Sequence, residues 1–497
     1  MMLGAAALAV ASPAAAAWHK ASSAHFVIYA DESPDKLREF ATKLEKFDRA
    51  VRQVRGMADP PMGDGNRLQV FVVPTVRDVQ QLGGRTSSGM TKFAGFYQGR
   101  AEGSVAIVPE KLENSSDEAD RLVVFFHEYA HHLMYHDLRA AVPLWYSEGF
   151  AEFMSTATFA RDGSVMLGRV ARHRAYSVDD ASTLPLDSIF AGKFEKMSDD
   201  QWESLYSRSW LLTHYLTFEN SRKGQLAGYL QAVAEGKDSL ASAQAVFGDF
   251  KALNRNLHGY LGRSQVMAYK VAPGKVGAID VQPLSAGAAA IISLRAKSKV
   301  GVSGEAAASH AGQVRAVAAN HPADAFVQAS LAEAELDANN FVAAEAAADR
   351  ALAADPTMIE AMIHKGRAIL QRAVEGESGA TFAAARNWFM KANKLDPEDP
   401  EPLMLFHEAH ARDTGRPNAN AIAALHYASD LAPQDLGLRM QSALQYLRDG
   451  KLAEARKALA PVAYNPHGGS IARTASAAIG RLDAGDAKGA EKAMFGN

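Results

Sequence analysis

The spacing of apolar and polar residues divides this chain into a mixed front part and a helical back part. Four short runs rich in β-branched and aromatic residues predict strands, of which the last two form a hairpin. These runs are residues 25–30, 68–73, 93–97 and 104–109. Ser33 followed by Pro34 predicts a helix to about residue 55, and helical spacing returns from residue 116 to about 263. Strands that precede helices, rather than alternate with them, predict an α+β fold for this part.

Beyond residue 300 the chain becomes rich in alanine and its pattern repeats. Prolines recur at steps of 34, 41, 36 and 33 residues, at Pro322, Pro356, Pro397, Pro433 and Pro466. Between the prolines lie paired helical patterns. A period near 34 with helix–turn–helix units resembles the tetratricopeptide repeat, which implies an all-α repeat domain. The alternative is an unrelated alanine-rich helical bundle.

These patterns divide the 497 residues into four predicted segments. Residues 1–18 combine an apolar stretch, a Ser-Pro break and small residues, as in a secretory signal without its usual basic start. The alternative is a disordered alanine-rich tail, but the signal predicts a periplasmic or secreted protein. Residues 19–265 form the mixed domain, and 301–497 the repeat domain. Residues 266–300 are a linker region where glycine and proline cluster, with a weaker extended stretch at 268–281 and an alanine-rich helix near 286–297. No other stretch reaches the ~18 apolar residues of a membrane span, so no transmembrane span is predicted.

Composition excludes several kinds of chemistry. The chain has 53 basic and 56 acidic residues, a net charge of −3, which gives no general attraction to nucleic acid. It has no cysteine, which excludes disulfides, thiol nucleophiles and every cysteine-ligated zinc site. Any metal site must therefore use His, Asp or Glu.

The sequence His127-Glu128-Tyr-Ala-His131 is the strongest chemical signal in the chain. Residues four apart on a helix project from one face, so both imidazoles can reach one metal ion. Glu128 is next to the first imidazole and is the candidate general base, without being a ligand itself. Zn²⁺ is the predicted cofactor, held by His127, His131 and a third ligand from elsewhere.

A second motif, Trp145-Tyr-Ser-Glu148-Gly-Phe-Ala-Glu152, follows the first. Together the two motifs resemble the gluzincin metallopeptidases, the clan of thermolysin and aminopeptidase N. The resemblance implies a thermolysin-like zincin domain, built from a small sheet and helices, with Glu148 as the third zinc ligand. The alternative for Glu148 is a solvated helix carboxylate. The resemblance further implies that Glu152 orients one ligand imidazole.

The segment Tyr206-Ser-Arg-Ser-Trp resembles the helix that carries the transition-state tyrosine in aminopeptidase N-like enzymes. This implies an oxyanion-stabilising role for Tyr206, with a packing aromatic as the alternative. His214, about two turns further, is a weaker candidate and is more typical of a structural histidine. Residues 104–108 are either the edge strand on which an extended peptide pairs or a plain core strand.

The sequence thus predicts a zinc-dependent peptidase that hydrolyses a peptide or protein substrate, with repeats that bind a protein partner. No segment resembles the Gly-Ala-Met-Glu-Asn element of aminopeptidases, so endopeptidase and aminopeptidase activity both stay open. The alternative function is a non-catalytic repeat scaffold whose zinc domain is structural or inactive.

Overall fold

The computed structural model describes most of the chain and confirms an α+β protein. The described residues are 18–59, 62–83, 95–111, 118–137, 142–174, 183–192, 194, 197–262, 267–465 and 469–494. They are 67% helical, with a small mixed sheet and a helical C-terminal region. The predicted export signal lies outside the described residues, except for Trp18.

The front part contains both sheets and the helices packed on them. In chain order its elements are β1 (His19–Ser22), β2 (Phe26–Ala30), α1 (Pro34–Arg55), β3 (Leu68–Thr75), α2 (Val76–Gly83), β4 (Phe96–Gln98), β5 (Val105–Lys111), α3 (Glu118–Asp137), α4 (Leu144–Ser155), β6 (Thr158–Phe159), β7 (Val165–Leu167), α5 (Leu186–Ala191), α6 (Asp199–Phe218), α7 (Gln225–Ala234), α8 (Ser239–Phe247), α9 (Phe250–Leu261), β8 (Tyr269–Val271) and β9 (Asp280–Pro283).

A mixed sheet forms the centre of this part, with the strand order β4-β5-β3-β2-β1-β9. Strands β2, β3 and β5 run parallel, with Phe26 opposite Leu68 and Gln69 opposite Val105. Strand β4 is antiparallel to β5, which confirms the predicted hairpin. Strand β1 lies antiparallel between β2 and β9. A second, antiparallel sheet places β7 between β6 and β8.

The structure decides one alternative and corrects one assignment. Strand β5 pairs with β3 on one side and β4 on the other, so residues 104–108 form the core strand of the two alternatives, and β4 is at the edge. Residues 266–300 contain extended segments and a helix from Ala286, as predicted, but they are more than a linker, because β8 joins the second sheet and β9 pairs with β1. The physical reason is burial, since Val271 is 4% exposed and belongs to the main core.

Helix α1 covers the first face of the sheet and supports α3. Pro34 stands at its start, and Gly56 ends it with a left-handed φ of 64°. Its apolar residues recur at helical spacing and are buried in the main core: Leu37, Phe40, Leu44, Phe47 and Val51. The ring of Phe47 stacks on Phe126 of α3, with centroids 4.0 Å apart. The position of α3 is therefore fixed by the main core.

The described residues of the back part form consecutive helices. They are α10 (Ala286–Val300), α11 (Gly304–Asn320), α12 (Ala325–Asp337), α13 (Phe341–Ala354), α14 (Ile359–Val374), α15 (Phe382–Leu395), α16 (Pro400–Thr414), α17 (Ala419–Leu431), α18 (Leu436–Arg448), α19 (Leu452–Ala463), α20 (Gly469–Asp483) and α21 (Ala487–Met494). Among the described helices of the whole chain, none is long and apolar enough to cross a membrane.

The recurring prolines have a structural cause. Three of them stand two residues before an aspartate whose carboxylate accepts a hydrogen bond from a backbone N–H in the first turn of the next helix. The pairs are Pro322 and Asp324, Pro397 and Asp399, and Pro433 and Asp435. Proline cannot continue the preceding helix, and the aspartate begins the following one. The period seen in the sequence is therefore a period of helix ends and helix starts.

The front and back parts share a hydrophobic core. Helix α10 lies against the second face of the sheet, where Ile292 and Ala296 are buried with Tyr29 and Phe71. Parallel strands require cover on both faces, and α10 supplies it here. Phe326 of α12 packs against the same cluster. The helical back part is therefore packed on the sheet that supports the candidate site.

Candidate metal centre

Two packed helices, α3 and α4, carry the residues of both sequence motifs. His127 and His131 lie one turn apart on α3, and Glu148 and Glu152 lie one turn apart on α4. Helix α4 is buried over nearly its whole length. Both of its carboxylates are consequently in the interior, with Glu148 0% and Glu152 1% exposed. Glu148 is therefore a buried carboxylate and not a solvated one.

Three side-chain atoms form a nearly equilateral triangle. Nε2 of His127 lies 3.3 Å from Nε2 of His131. Oε2 of Glu148 is 3.4 Å from the first of these nitrogens and 3.5 Å from the second. In a tetrahedral zinc site, bonds of about 2.0–2.1 Å place neighbouring ligand atoms about 3.3–3.4 Å apart. His127, His131 and Glu148 therefore fit a tetrahedral zinc ion and leave its fourth position to another ligand.

The second nitrogen of each imidazole has its own partner. Nδ1 of His127 is 3.3 Å from Oε1 of Glu152, and Nδ1 of His131 is 3.3 Å from Oγ of Ser147. Arg174 holds Glu152 in turn, donating to Oε1 from Nη2 at 2.6 Å and from Nε at 3.2 Å. Both rings are thus oriented with Nε2 toward the centre, as outer partners do for zinc-ligating histidines.

The centre strongly favours positive charge. Burial lowers the pKa of His127, but hydrogen bonds to Glu148 and Glu152 outweigh burial and raise it to about 10. The imidazole therefore keeps its proton at neutral pH when it faces the two carboxylates alone. A divalent cation bound by the same atoms would replace that proton and balance the negative charge.

Glu128 and Tyr206 face one cleft beside the centre. Tyr206 lies on α6, which packs so closely on α4 that a Cβ at Gly149 would lie 2.3 Å from a backbone oxygen of α6. Only glycine fits there, and the close approach brings the Tyr206 ring to 6.1 Å from the His127 ring, between centroids. The guanidinium of Arg174 lies 4.9 Å from the centroid of the tyrosine ring.

The Tyr206 hydroxyl stays protonated at neutral pH. Burial raises its pKa, and the negative charges of Glu148 and Glu128 raise it further. A protonated phenol beside the centre can donate a hydrogen bond to an oxygen that gains negative charge. Glu128 is half-buried and does not belong to the triangle of His127, His131 and Glu148, so it is not required as a ligand.

A cleft of about 850 Å³ opens onto the centre, a volume within the range of sites that bury a small ligand. Glu128, His131 and Tyr206 line this cleft, together with residues of β4. Residues of α14, α16 and α18 line it as well. Front and back parts therefore both contribute to the surface that a ligand would meet.

The structure brings together all six side chains that the two motifs and the α6 segment indicated. They are His127, Glu128, His131, Glu148, Glu152 and Tyr206. His214 lies elsewhere, with Nδ1 2.9 Å from the hydroxyl of Tyr260 and Nε2 2.9 Å from the carbonyl oxygen of Gly168. Burial lowers its pKa to about 4. His214 is therefore a structural histidine and not part of the candidate site.

Two residues of the centre were not identified from the sequence. Arg174, which holds Glu152, follows it by 22 residues and has no fixed spacing to either motif. Only the folded chain brings it near. Ser147 lies inside the second motif, but a serine hydroxyl carries no metal signal by itself.

A second His and Glu group lies in the back part. Glu333, Glu360 and His364 place one ligand atom each within 4.8 Å of one another. Lys299 already occupies this group, because its Nζ lies 2.8 Å from a carboxylate oxygen of Glu333 and 2.8 Å from one of Glu360. The ammonium takes the place that a metal ion would need. Of the two groups, only the one on α3 and α4 remains a candidate metal centre.

Comparison with protein-family models and with curated proteins identifies no relative of this chain. No protein-family model matches the chain, and a search of curated proteins gives no significant match.

Proposed function

We propose that this chain is a zinc-dependent peptidase of the gluzincin type, with a thermolysin-like catalytic domain in its front part. The triangle of His127 Nε2, His131 Nε2 and Glu148 Oε2 carries the proposal, because its edges of 3.3–3.5 Å match a tetrahedral zinc site. A base candidate and a hydroxyl donor face the same cleft, which supports a hydrolytic rather than a purely structural zinc site.

His127, His131 and Glu148 would hold the zinc ion, and Glu152 would keep the His127 ring in its orientation. When bound, zinc supplies a Lewis acid that polarises a carbonyl group and lowers the pKa of water. Glu128 accepts a proton from the attacking water and later returns it to the leaving amine. Tyr206 donates its hydroxyl hydrogen to the oxygen of the peptide carbonyl as negative charge develops there.

The decisive variant is Glu128→Gln, which removes the base and keeps the size of the side chain. We expect zinc to stay near one per chain and turnover of a peptide library to fall by about 10²–10⁴-fold. The matched control is Glu235→Gln, an exposed carboxylate away from the cleft, which should leave turnover unchanged. Zinc content by mass spectrometry and cleavage rates by chromatography give the two readouts.

Full turnover in Glu128→Gln would refute the assignment of the base. Wild-type protein that binds one zinc and cleaves no member of the library would favour the repeat scaffold with an inactive zinc domain. Peptides with free and with blocked amino termini, used in the same assay, separate an aminopeptidase from an endopeptidase.

A further inference from the structure

We infer that the helical repeats form part of the substrate-binding site and restrict the substrate to an extended, unfolded peptide chain. The inference rests on the proposed peptidase function and adds the class of substrate that the site admits. Helices α14, α16 and α18 contribute residues to the lining of the cleft that opens onto the metal centre. We call this surface the repeat wall.

The repeat wall combines amide, acidic and apolar side chains. Gln371 lies on α14, Met404 and Glu408 on α16, and Gln441 on α18; all four line the cleft and none is fully buried. An amide side chain both donates and accepts hydrogen bonds, so it can pair with a peptide group whatever the neighbouring residue. The wall therefore offers partners to the main chain of a substrate, with an apolar surface beside them.

A loop of the front part joins the repeat wall to the metal centre. Residues 99–104 connect β4 to β5, and this loop is bonded to the start of α18. The backbone N–H of Ala101 donates to Oδ2 of Asp435 at 2.9 Å, and Nε2 of Gln434 donates to Oγ of Ser104 at 3.2 Å. The loop that follows the edge strand β4 is thus hydrogen-bonded directly to the start of α18, a helix of the repeat wall.

A second anchor fixes the same two parts just before β3. Nδ2 of Asn66 donates to the backbone oxygen of Leu431 at 2.7 Å, and the N–H of Gly65 donates to Oδ2 of Asp396 at 3.3 Å. The approach is so close that a Cβ at Gly65 would lie 2.3 Å from Oδ2 of Asp399. Together with the shared core, the two anchors fix the helices of the repeat wall against the front part.

The size of the cleft limits its occupant. A volume of about 850 Å³ can hold a short stretch of chain but cannot enclose a folded domain. An extended chain rises only about 3.3 Å per residue and presents its peptide groups to both sides. The occupant that fits is therefore an unfolded segment, with the scissile bond at Glu128 and flanking residues along the repeat wall.

The test compares two triple variants of the full-length, zinc-loaded chain. The wall variant carries Gln371→Ala, Glu408→Gln and Gln441→Ala. The control variant carries the same kinds of change at exposed positions of the repeats that do not line the cleft: Gln313→Ala, Glu305→Gln and Asn387→Ala. For each protein kcat/KM is measured on a library of peptides of about ten residues and on tripeptides. Zinc content and Tm verify that the variants are folded.

We expect the wall variant to lose at least about ten-fold in kcat/KM on the long peptides, equivalent to about 1.4 kcal/mol. An extended tripeptide spans only about 10 Å, so it can make fewer contacts with the repeat wall than a longer peptide. Its kcat/KM should therefore fall less, by no more than about three-fold. The control variant should match wild type on both. Unchanged kcat/KM of the wall variant on long peptides would overturn the inference and leave the peptidase function standing.

A binding measurement distinguishes failure of the inference from failure of the proposed function. In the Glu128→Gln background, the Kd of a fluorescent peptide of about ten residues is read by anisotropy without turnover. A Kd about ten-fold higher with the wall changes than without them supports the inference, even if the wild-type protein cleaves no peptide. An unchanged Kd contradicts it.

Discussion

Two His and Glu groups in this protein look alike by composition and differ in what balances their charge. In the group of His127, His131 and Glu148, the three ligand atoms converge on one point, and the basic side chain nearby, Arg174, is bonded to Glu152 instead. In the group of Glu333, Glu360 and His364, Lys299 places its ammonium between the two carboxylates. In the first group the positive charge is a proton on His127, which a metal ion can replace, whereas the second group holds the fixed ammonium of a lysine.

The comparison shows that clustered ligand residues are insufficient evidence for a metal site. What decides is whether a side-chain cation already neutralises the group. Arg295 reinforces the second group by donating to both oxygens of Glu360, at 2.8 and 2.9 Å. This ion cluster connects α10, α12 and α14, so its role is to join the helix that covers the sheet to the first repeats.

The largest effect should come from exchanging one carboxylate in each group for its amide. Glu148→Gln removes a charged ligand atom, so we expect zinc affinity to fall by more than about a thousand-fold, beyond the range for outer partners. Glu360→Gln should leave zinc affinity unchanged. Zinc affinity is read by competition with a chromogenic chelator. If Glu360→Gln lost zinc, or if Glu148→Gln kept wild-type zinc affinity, the assignment of the metal centre to the first group would be wrong.

Removing the internal cation should destabilise the fold without affecting zinc. In Lys299→Met the carboxylates of the buried Glu333 and the partly buried Glu360 lose a shared partner, which should lower the free energy of unfolding by about 3 kcal/mol at neutral pH. Lys297→Met, on the same helix but outside the ion cluster, is the control and should change it by less than about 0.5 kcal/mol. Urea unfolding of zinc-loaded protein gives both values.

The effect of Lys299→Met should also depend on pH. Burial raises the pKa of Glu360, but the charges of Arg295 and Lys299 outweigh burial and hold it well below 4.5. A carboxylate with a lowered pKa in the folded state stabilises the protein above its ordinary pKa and loses that contribution as the pH falls. The difference between variant and wild type should therefore be largest near neutral pH and narrow below about pH 4.5. If the difference in the free energy of unfolding stayed constant from neutral pH to pH 3, lost packing rather than lost charge would explain the effect.

The sequence predicted the parts of the centre that are local. The spacing of His127 and His131 on one helix, and of Glu148 and Glu152 on the next, follows from helical geometry alone. Arg174 and Lys299 could not be predicted, because each acts through a contact that only the folded chain creates. For the same reason the sequence indicated the repeats but not their position at the cleft of the metal centre, which depends on anchors between distant segments.

The strands were predictable where their pattern was strong and the neighbouring strand was close along the chain. The β4–β5 hairpin is an example, since one turn joins its strands. Strands β8 and β9 lie in or next to the predicted extended stretch 268–281, but this stretch was assigned to a linker region because glycine and proline cluster there. Their partners β7 and β1 lie far away in the sequence, and no local pattern records that pairing.

The smallest effect should come from the outer partner of His127. Glu152→Gln keeps the shape of the side chain and removes its charge, so the ring is oriented less firmly and we expect zinc affinity to fall about 10–100-fold. The control is Glu203→Gln, because Glu203 accepts from Nη1 of the same Arg174 at 2.7 Å without a contact to His127. Zinc affinity in that variant should stay within about three-fold of wild type. Equal losses in both would mean that the position of Arg174, rather than the contact between Glu152 and His127, supports the centre.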